Sequence, residues 1–198
     1  MAVHVPAPHP EAATMPRDAS SPLPEEIAAA AAHVVVAALH LDRLVGSDPE
    51  DIDLAMLRVT CAVTGATDAV AVMLGHGVYL HRPEVFMGLT VMNAEWNRLP
   101  SSIVVNLTSG QDEFGRLMML THGLTRYGRS ELLVGCTDDG AESRDFVESM
   151  VEWLLSGRDR RLEPGASVPS SRGAPLVVEA RPSPLENGST VAYIELGR

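Results

Sequence analysis

Three segments of the chain carry apolar residues at the spacing of an amphipathic helix, each behind a typical helix start. In the clearest one, residues 48–65, Asp48 is the predicted N-cap and Pro49 lies in the first turn. Gly65 is the predicted end of this helix. Two apolar stripes run along it, which predicts that the helix is covered on two sides. One stripe is Ile52, Ala55, Met56, Val59, Ala62 and Val63, and the other is Leu54, Leu57 and Cys61.

The second and third helices are predicted from the same pattern. Residues 82–99 open with Pro83 and Glu84 and stop before a proline, with an inward stripe of Val85, Leu89, Met92 and Trp96. In the third helix we expect Ser143 to be the cap and Gly157 to be the end. Its expected inward residues are Phe146, Val147, Met150, Val151 and Leu154.

Short apolar runs between and after these helices predict strands, because they are rich in β-branched residues or alternate in polarity. Several strands follow one another directly, an order that favours an α+β fold over a doubly wound parallel sheet. We therefore expect a mostly antiparallel sheet packed by about three helices, with a final hairpin across Asn187-Gly188. The predicted strands are "HVVVAALHL", "AVAVML", "SIVVNL", "GRLMMLTHGL", "ELLVG", "APLVVEARP" and "STVAYIELG".

Residues 1–24 are rich in proline and alanine and have no apolar period. Such a segment buries too little surface to offset its ordering entropy, so we expect a flexible, disordered tail. A short helix is expected from Pro24 onward. The length of 198 residues suits one domain, which we place at residues 25–198.

The charge balance narrows the class of partner. The chain has 26 acidic and 15 basic residues and a net charge of −11, which argues against nucleic-acid binding and suits either solubility or a basic protein partner. Cys61 and Cys136 cannot form a disulfide framework and are expected to be reduced. The longest apolar stretch, residues 27–41, is too short to span a bilayer and has no basic leader. We expect a cytoplasmic protein that does not bind membranes.

A metal site is the first candidate for chemistry. His76, His81 and Glu84 lie close together in sequence, and His122 could join them from a neighbouring strand. A catalytic zinc needs three such ligands and an open position for water. The spacing matches no compact zinc signature, and His81 and Glu84 also suit an ordinary helix start. We therefore favour the absence of a metal or other cofactor.

Nucleophilic catalysis is the second candidate. Cys61 falls within a helix and is expected to be a small buried hydrophobe. Cys136 precedes Asp138 and Asp139, whose charges would raise the pKa of a thiol rather than lower it. No Gly-x-Ser-x-Gly elbow is present. We predict no catalytic residue from these patterns.

Residues 120–135 concentrate polar side chains between two apolar strands. His122 shares a strand face with apolar residues, which is typical of a hydrogen-bonded core histidine, and Gly123 indicates a bulge or a close backbone approach. Glu131 is near enough in sequence to pair with an arginine across the connection. We favour a structural turn that can also present a binding edge. Its candidate residues are His122, Gly123, Arg126, Tyr127, Arg129 and Glu131.

The stretches "GHGVYLHRPEVF", "THGLTRYGRSELLV" and "TVAYIELGR" together resemble an uncharacterised bacterial family, domain of unknown function four-two-six-one. The resemblance covers about residues 33–198 and implies a bacterial α+β domain with no assigned activity. A fainter likeness of the "THGL" stretch to Suppressor-of-fused-like domains points toward binding proteins. The family's recurring positions correspond to Gly77, Pro83, Glu84, Thr121, Gly123, Leu124, Gly128 and Glu131.

These patterns favour a non-catalytic protein-interaction module in a bacterial cytoplasm, with an immunity, adaptor or chaperone-like role toward another protein. The acidic charge, the lack of a complete catalytic constellation and the family resemblance all motivate this hypothesis. One alternative is a metal-dependent hydrolase that uses His76, His81, Glu84 and His122. A further alternative is a regulatory domain that binds a small ligand in a pocket between methionine-rich helices.

Overall fold

The computed structural model describes residues 2–5, 21–30, 32–37, 48–74, 80–136, 140–170, 174–184 and 188–196. Helices and mostly antiparallel strands alternate along it, so the predicted α+β fold is confirmed. The chain forms two compact units, residues 1–104 and residues 105–198. That each unit is compact does not test whether the two fold together, so the single domain over residues 25–198 stays a prediction.

The first unit pairs four helices with two small antiparallel sheets. One sheet joins the first and second strands, and the other joins the third and fourth. The first strand lies within the segment for which we predicted no regular structure, and residues 6–20 of that segment are outside the described residues. The elements are β1 (Ala2–Val5), α1 (Pro24–Ala28), β2 (His33–Val36), α2 (Pro49–Gly65), β3 (Val72–Met73), β4 (Leu80–His81), α3 (Pro83–Ala94) and α4 (Ser101–Val104).

Helix α2 begins as predicted, but the apolar residues that it buries belong to the smaller of its two predicted stripes. The Asp48 carboxylate accepts a hydrogen bond from the Glu50 backbone N–H at 2.9 Å, which confirms the cap. Leu54 and Leu57 are buried, whereas Val59 of the larger predicted stripe is 46% exposed. The expectation that both stripes are covered is therefore wrong. Helical spacing places residues on a common face, but the larger stripe is only partly covered, with Ile52, Met56 and Val63 half-buried.

Helix α3 also buries residues other than those of its predicted stripe. It starts at Pro83 as predicted, and its buried residues are Phe86 and Thr90. Met92 and Trp96, which we expected to face inward, are exposed, and Trp96 lies beyond the last residue of the helix. Val85 and Leu89 of the predicted stripe are half-buried, so the prediction is wrong for its second half, because the apolar residues of this segment surround the helix instead of marking one side.

The second unit contains a five-stranded sheet in the order β10-β11-β7-β6-β5. Every neighbouring pair in it is antiparallel except β7 and β11, which run parallel. The predicted terminal hairpin is confirmed as the pair β10–β11. The elements are β5 (Asn106–Gln111), β6 (Leu117–His122), a 3-10 turn (Leu124–Tyr127), β7 (Leu132–Gly135), α5 (Gly140–Leu155), β8 (Ser167–Val168), β9 (Leu176–Val177), β10 (Glu179–Pro182) and β11 (Thr190–Glu195).

Helix α5 packs on this sheet and completes the core of the second unit. Its predicted inward residues are buried except Phe146, which is half-buried. Two details of the prediction are wrong. The helix starts at Gly140, so Ser143 is a buried residue inside it instead of its cap. Residues 102–104 of the expected strand "SIVVNL" belong to the short helix α4, and the strand begins only at Asn106.

Candidate functional site

Glu131 is the centre of the polar connection between β6 and β7. Its Oε1 accepts hydrogen bonds from the backbone N–H of Gly123 at 2.9 Å and of Thr125 at 3.0 Å, and from the Thr125 hydroxyl at 3.1 Å. Its Oε2 accepts a bond from the Thr121 hydroxyl at 2.7 Å. Three of these four donors converge on Oε1 and one reaches Oε2. The carboxylate therefore holds the turn in place.

Glu131 was expected to pair with Arg126 or Arg129, and the structure shows Arg129 donating to backbone carbonyls. This side chain is 3% exposed and donates to the carbonyls of Tyr127 at 2.6 Å, Leu154 at 2.8 Å and Gly157 at 3.1 Å. Two of these acceptors lie at the end of α5, where helix carbonyls have no partner within the helix. The guanidinium therefore ties the 3-10 turn to the C-terminal end of α5 and neutralises part of its negative dipole.

Two glycines allow the chain to make this turn. Gly123 has a φ of 120° directly after β6, and Gly128 has a φ of 67° directly after the 3-10 turn. Side chains disfavour both conformations, so the predicted irregularity at Gly123 has a backbone cause. Arg126 lies exposed in the 3-10 turn, whereas Tyr127 is buried.

His122 is half-buried at the end of β6. Its Nε2 lies 3.3 Å from the Thr108 hydroxyl, which donates to the Leu120 carbonyl at 3.3 Å. The tautomer of the imidazole sets which of the two groups donates in the Thr108–His122 contact. His122 is thus a hydrogen-bonded residue of the sheet face, in agreement with its expected shared face with Leu120.

A second polar cluster, which the sequence reasoning did not single out, lies where the parallel strands β7 and β11 end. The Tyr193 phenol donates a hydrogen bond to Glu195 Oε2, and the guanidinium of Arg181 lies 3.2 Å from the centre of the Tyr193 ring. Arg116 Nη1 lies 3.5 Å from the same Glu195 oxygen. Burial raises the pKa of Tyr193 to about 12, and the hydrogen bond and charge of Glu195 act in the same direction. Alternation along "TVAYIE" is the signal that places Tyr193 and Glu195 on one face.

Gly135 leaves the space that this cluster fills. A Cβ atom at this position would lie 2.7 Å from the Tyr193 hydroxyl oxygen and 2.8 Å from Glu195 Oε2. The parallel register pairs Gly135 with Glu195, which explains the close approach. Asp112 anchors Arg116 from the β5–β6 turn at 2.7 Å. Burial acts to raise the pKa of Asp112, but bonds from the Arg116 backbone and guanidinium and from the Phe114 amide outweigh it and lower that pKa.

Cys136 follows directly after β7 and has no features of an activated nucleophile. Burial raises the pKa of its thiol, and the nearby Glu195 charge raises it further, against the effect of a hydrogen bond with Ser143. The raised pKa agrees with the expected direction. The main cause of the raised pKa is burial of the thiol. The two aspartates to which we attributed it, residues 138 and 139, lie outside the described residues.

The metal-site candidates are divided between the two units. His81 is buried in β4 and Glu84 is exposed in the first turn of α3, whereas His122 belongs to the second unit. His76 and Gly77 lie outside the described residues. In the part of the chain that the structure describes, no three His, Cys, Asp or Glu side chains converge to hold a metal ion. The four-ligand site that includes His76 stays a prediction.

The first unit exposes apolar side chains on its helix pair. Val91, Met92 and Trp96 are 55%, 66% and 72% exposed, and Val59 on α2 is 46% exposed. Arg58 donates to the Asn97 side chain at 3.1 Å, so the exposed side of α2 next to Arg58 reaches the end of the α3 segment. We refer to Val59, Val91, Met92 and Trp96 as the α2–α3 face.

Searches against protein-family models, curated proteins and solved structures found no match to this chain. In the described residues, none of the helices is both long enough and apolar enough to cross a bilayer.

Proposed function

We propose that this protein is a protein-interaction module that binds its partner through the α2–α3 face. The observation that carries the proposal is the exposure of Val91, Met92 and Trp96 on the outward side of a packed helix pair. Large apolar side chains grouped on a surface are typical of protein-binding sites. Aromatic and methionine side chains are also enriched at the centres of interfaces.

Charge indicates the chemistry of the partner. Residues 48–98, which include both helices, contain seven acidic residues and three arginines, and the whole chain has a net charge of −11. A complementary surface would present an apolar centre with basic residues at its rim. The partner is therefore a basic protein with an exposed apolar patch. The resemblance to the uncharacterised bacterial family belongs to the same proposal, in which the module has an immunity, adaptor or chaperone-like role toward its partner.

The polar clusters of the second unit support a non-catalytic role. The Glu131 carboxylate is occupied by four donors, and Arg129 is committed to three backbone carbonyls. Both groups are engaged in holding the turn and the end of α5. The "THGLTRYGRSE" stretch therefore serves as a structural connection in this proposal.

The test compares two valine variants of equal exposure. Val91→Glu places a charge in the α2–α3 face, whereas Val177→Glu does the same in the second unit, where Val177 is 56% exposed. Tagged wild type and both variants are used to capture proteins from host lysate, and thermal midpoints confirm folding. We expect one stoichiometric protein that the wild type and Val177→Glu retain and Val91→Glu loses. Retention by Val91→Glu, or recovery of the chain alone, would overturn the proposal.

The absence of lysine from the chain allows a sharper measurement. An amine-reactive cross-linker can attach only to the N-terminus of the wild type, so Glu95→Lys creates a single reactive amine next to Trp96. Glu163→Lys, in the second unit, is the matched control, since Glu163 is also exposed. Cross-links to the captured protein should form from position 95 and not from position 163. The identity of the linked protein then separates immunity, adaptor and chaperone-like roles.

A further inference from the structure

The second half of strand β5 is an open edge of the five-stranded sheet in the described part of the chain. The strand lies at one end of the strand order and, among the described residues, forms its ladder with β6 alone. The second half of the strand, Ser109, Gly110 and Gln111, is exposed. A strand at a sheet edge presents unpaired N–H and C=O groups with which another strand can pair.

The hydrogen bonds of the β5–β6 hairpin determine which backbone N–H and C=O groups of β5 point away from β6. The Asp112 N–H donates to the Arg116 carbonyl at 3.0 Å, so this pair is hydrogen-bonded across the hairpin. Bonded pairs recur at every second residue of an antiparallel ladder, which makes Gly110 bond inward to β6. Ser109 and Gln111 therefore direct their backbone groups outward. In the described part of the chain these outward groups have no protein partner.

This edge lacks the features that usually protect an exposed strand. The sequence "NLTSGQ" contains no charged residue and no proline. Its register with β6 is continuous from Asn106 to Gln111, without a bulge. Natural sheets commonly block their edges with charges, prolines or bulges, and an unblocked edge is suited to strand addition.

The open space at Gly110 favours a large side chain at the facing position of an added strand. No atom lies within 4 Å of a Cβ built on Gly110, so the space above it is open. In an antiparallel addition the residue opposite Gly110 would form a non-hydrogen-bonded pair, with Cα atoms about 4.5 Å apart and side chains at their closest. An aromatic side chain placed there would cover the glycine and contact half-buried Met118, its neighbour on β6.

We infer that β5 accepts an extended segment of the protein partner as a sixth strand, with an aromatic or long apolar residue opposite Gly110. A second copy of this chain fits the edge less well, since it would bring together two molecules of charge −11. The exposed Glu113, next to the end of β5, favours a basic residue in the segment. This inference rests on the proposed function in taking a protein as the ligand, but it uses a different surface.

The test uses phage that display random twelve-residue peptides, selected on the immobilised full chain. Enriched peptides are synthesised with a fluorophore, and their binding is measured by fluorescence anisotropy. Each is also made in two N-methylated forms, in which alternate amides are methylated. Amides of an added strand point alternately toward and away from β5, so one methylated form should lose at least about tenfold in affinity while the other retains it.

Protein variants then locate the peptide. Gln111→Pro removes an outward N–H without removing a β6 ladder bond, and it should weaken binding at least about tenfold, whereas Val91→Glu should leave it unchanged. Loss with Val91→Glu alone would overturn the inference and leave the proposed function standing. Equal binding by both methylated forms, or no enriched peptide, would also overturn it. Concentration-dependent dimerisation abolished by Gln111→Pro would assign the edge to a second copy instead.

Discussion

The hydroxyl of Thr121 donates a hydrogen bond to Glu131 Oε2 at 2.7 Å and accepts one from the Leu132 backbone N–H at 2.8 Å. A single buried side chain thereby joins the end of β6 to the start of β7. The same Glu131 carboxylate also receives the amides of Gly123 and Thr125. The connection between the two strands is thus closed by side-chain hydrogen bonds where the sheet ladder itself stops.

Replacement of Glu131 by alanine should destabilise the fold. We expect the free energy of unfolding to fall by about 2 to 3 kcal/mol, because partly buried donors lose a charged acceptor. Chemical denaturation followed by circular dichroism measures this change. The matched control is Glu113→Ala, an exposed acid that forms no ion pair in the described residues, for which we expect a change within about 0.5 kcal/mol. Equal effects of the two substitutions would contradict the role assigned to Glu131.

Replacement of Arg129 by methionine should be more damaging. Methionine keeps much of the side-chain volume but leaves the carbonyls of Tyr127, Leu154 and Gly157 without their donor. We expect a loss of about 3 kcal/mol or more in the free energy of unfolding. Arg144→Met is the control, since Arg144 forms an exposed ion pair with Glu148 and should change stability by less than about 1 kcal/mol. A smaller loss at position 129 than at position 144 would refute this interpretation.

Two glycine substitutions should act in opposite directions. Gly135→Ala forces a methyl group against the Tyr193 hydroxyl and the Glu195 carboxylate, at a cost of about 1 to 3 kcal/mol in stability. Gly110→Ala meets open space and should be neutral or stabilising by up to about 1 kcal/mol, because the unfolded chain loses freedom. Thermal denaturation tests both. Adding Tyr193→Phe to Gly135→Ala removes the nearest contact atom, so the double variant should lose less than the sum of the single changes.

Tyr193 should make stability fall at alkaline pH. Its folded pKa of about 12 lies above the unfolded value near 10, so the folded state holds the phenol proton more tightly. This contribution is fully present below pH 10 and is lost as the pH rises from 10 to 12. Absorbance at 295 nm, recorded against pH, should show a late tyrosinate component that Tyr193→Phe removes. A titration with every tyrosine ionised near pH 10 in the folded protein would show this assignment to be incorrect.

Much of the local structure was readable from the sequence. The Asp48–Pro49 start of α2, the Pro83 start of α3 and the terminal hairpin all follow from capping and turn chemistry that acts within a few residues. The inward face of α5 was also predictable, because its apolar residues stand at helical spacing opposite a charged side. In each case the residues that determine the outcome are neighbours in sequence.

The candidate site was only partly readable. The sequence marks Glu131 and Arg129 as polar residues in a connection between strands, and it predicted a structural turn. It suggested a pair between Glu131 and Arg126 or Arg129, and it did not indicate that Glu131 accepts from hydroxyls and amides or that Arg129 donates to carbonyls at the end of α5. Leu154 is 25 residues from Arg129, and no local pattern indicates that the end of a later helix would reach the turn.

What the sequence by itself determined is which residues share a helix face or a strand face, since this depends on backbone periodicity alone. The tertiary structure decided which of those faces is covered. It buried Leu54 instead of Val59 on α2, left Trp96 exposed, and placed β11 parallel to β7 so that Glu195 fills the space above Gly135. Burial and strand order depend on contacts between segments that are distant along the chain, and periodicity within one segment carries no information about them.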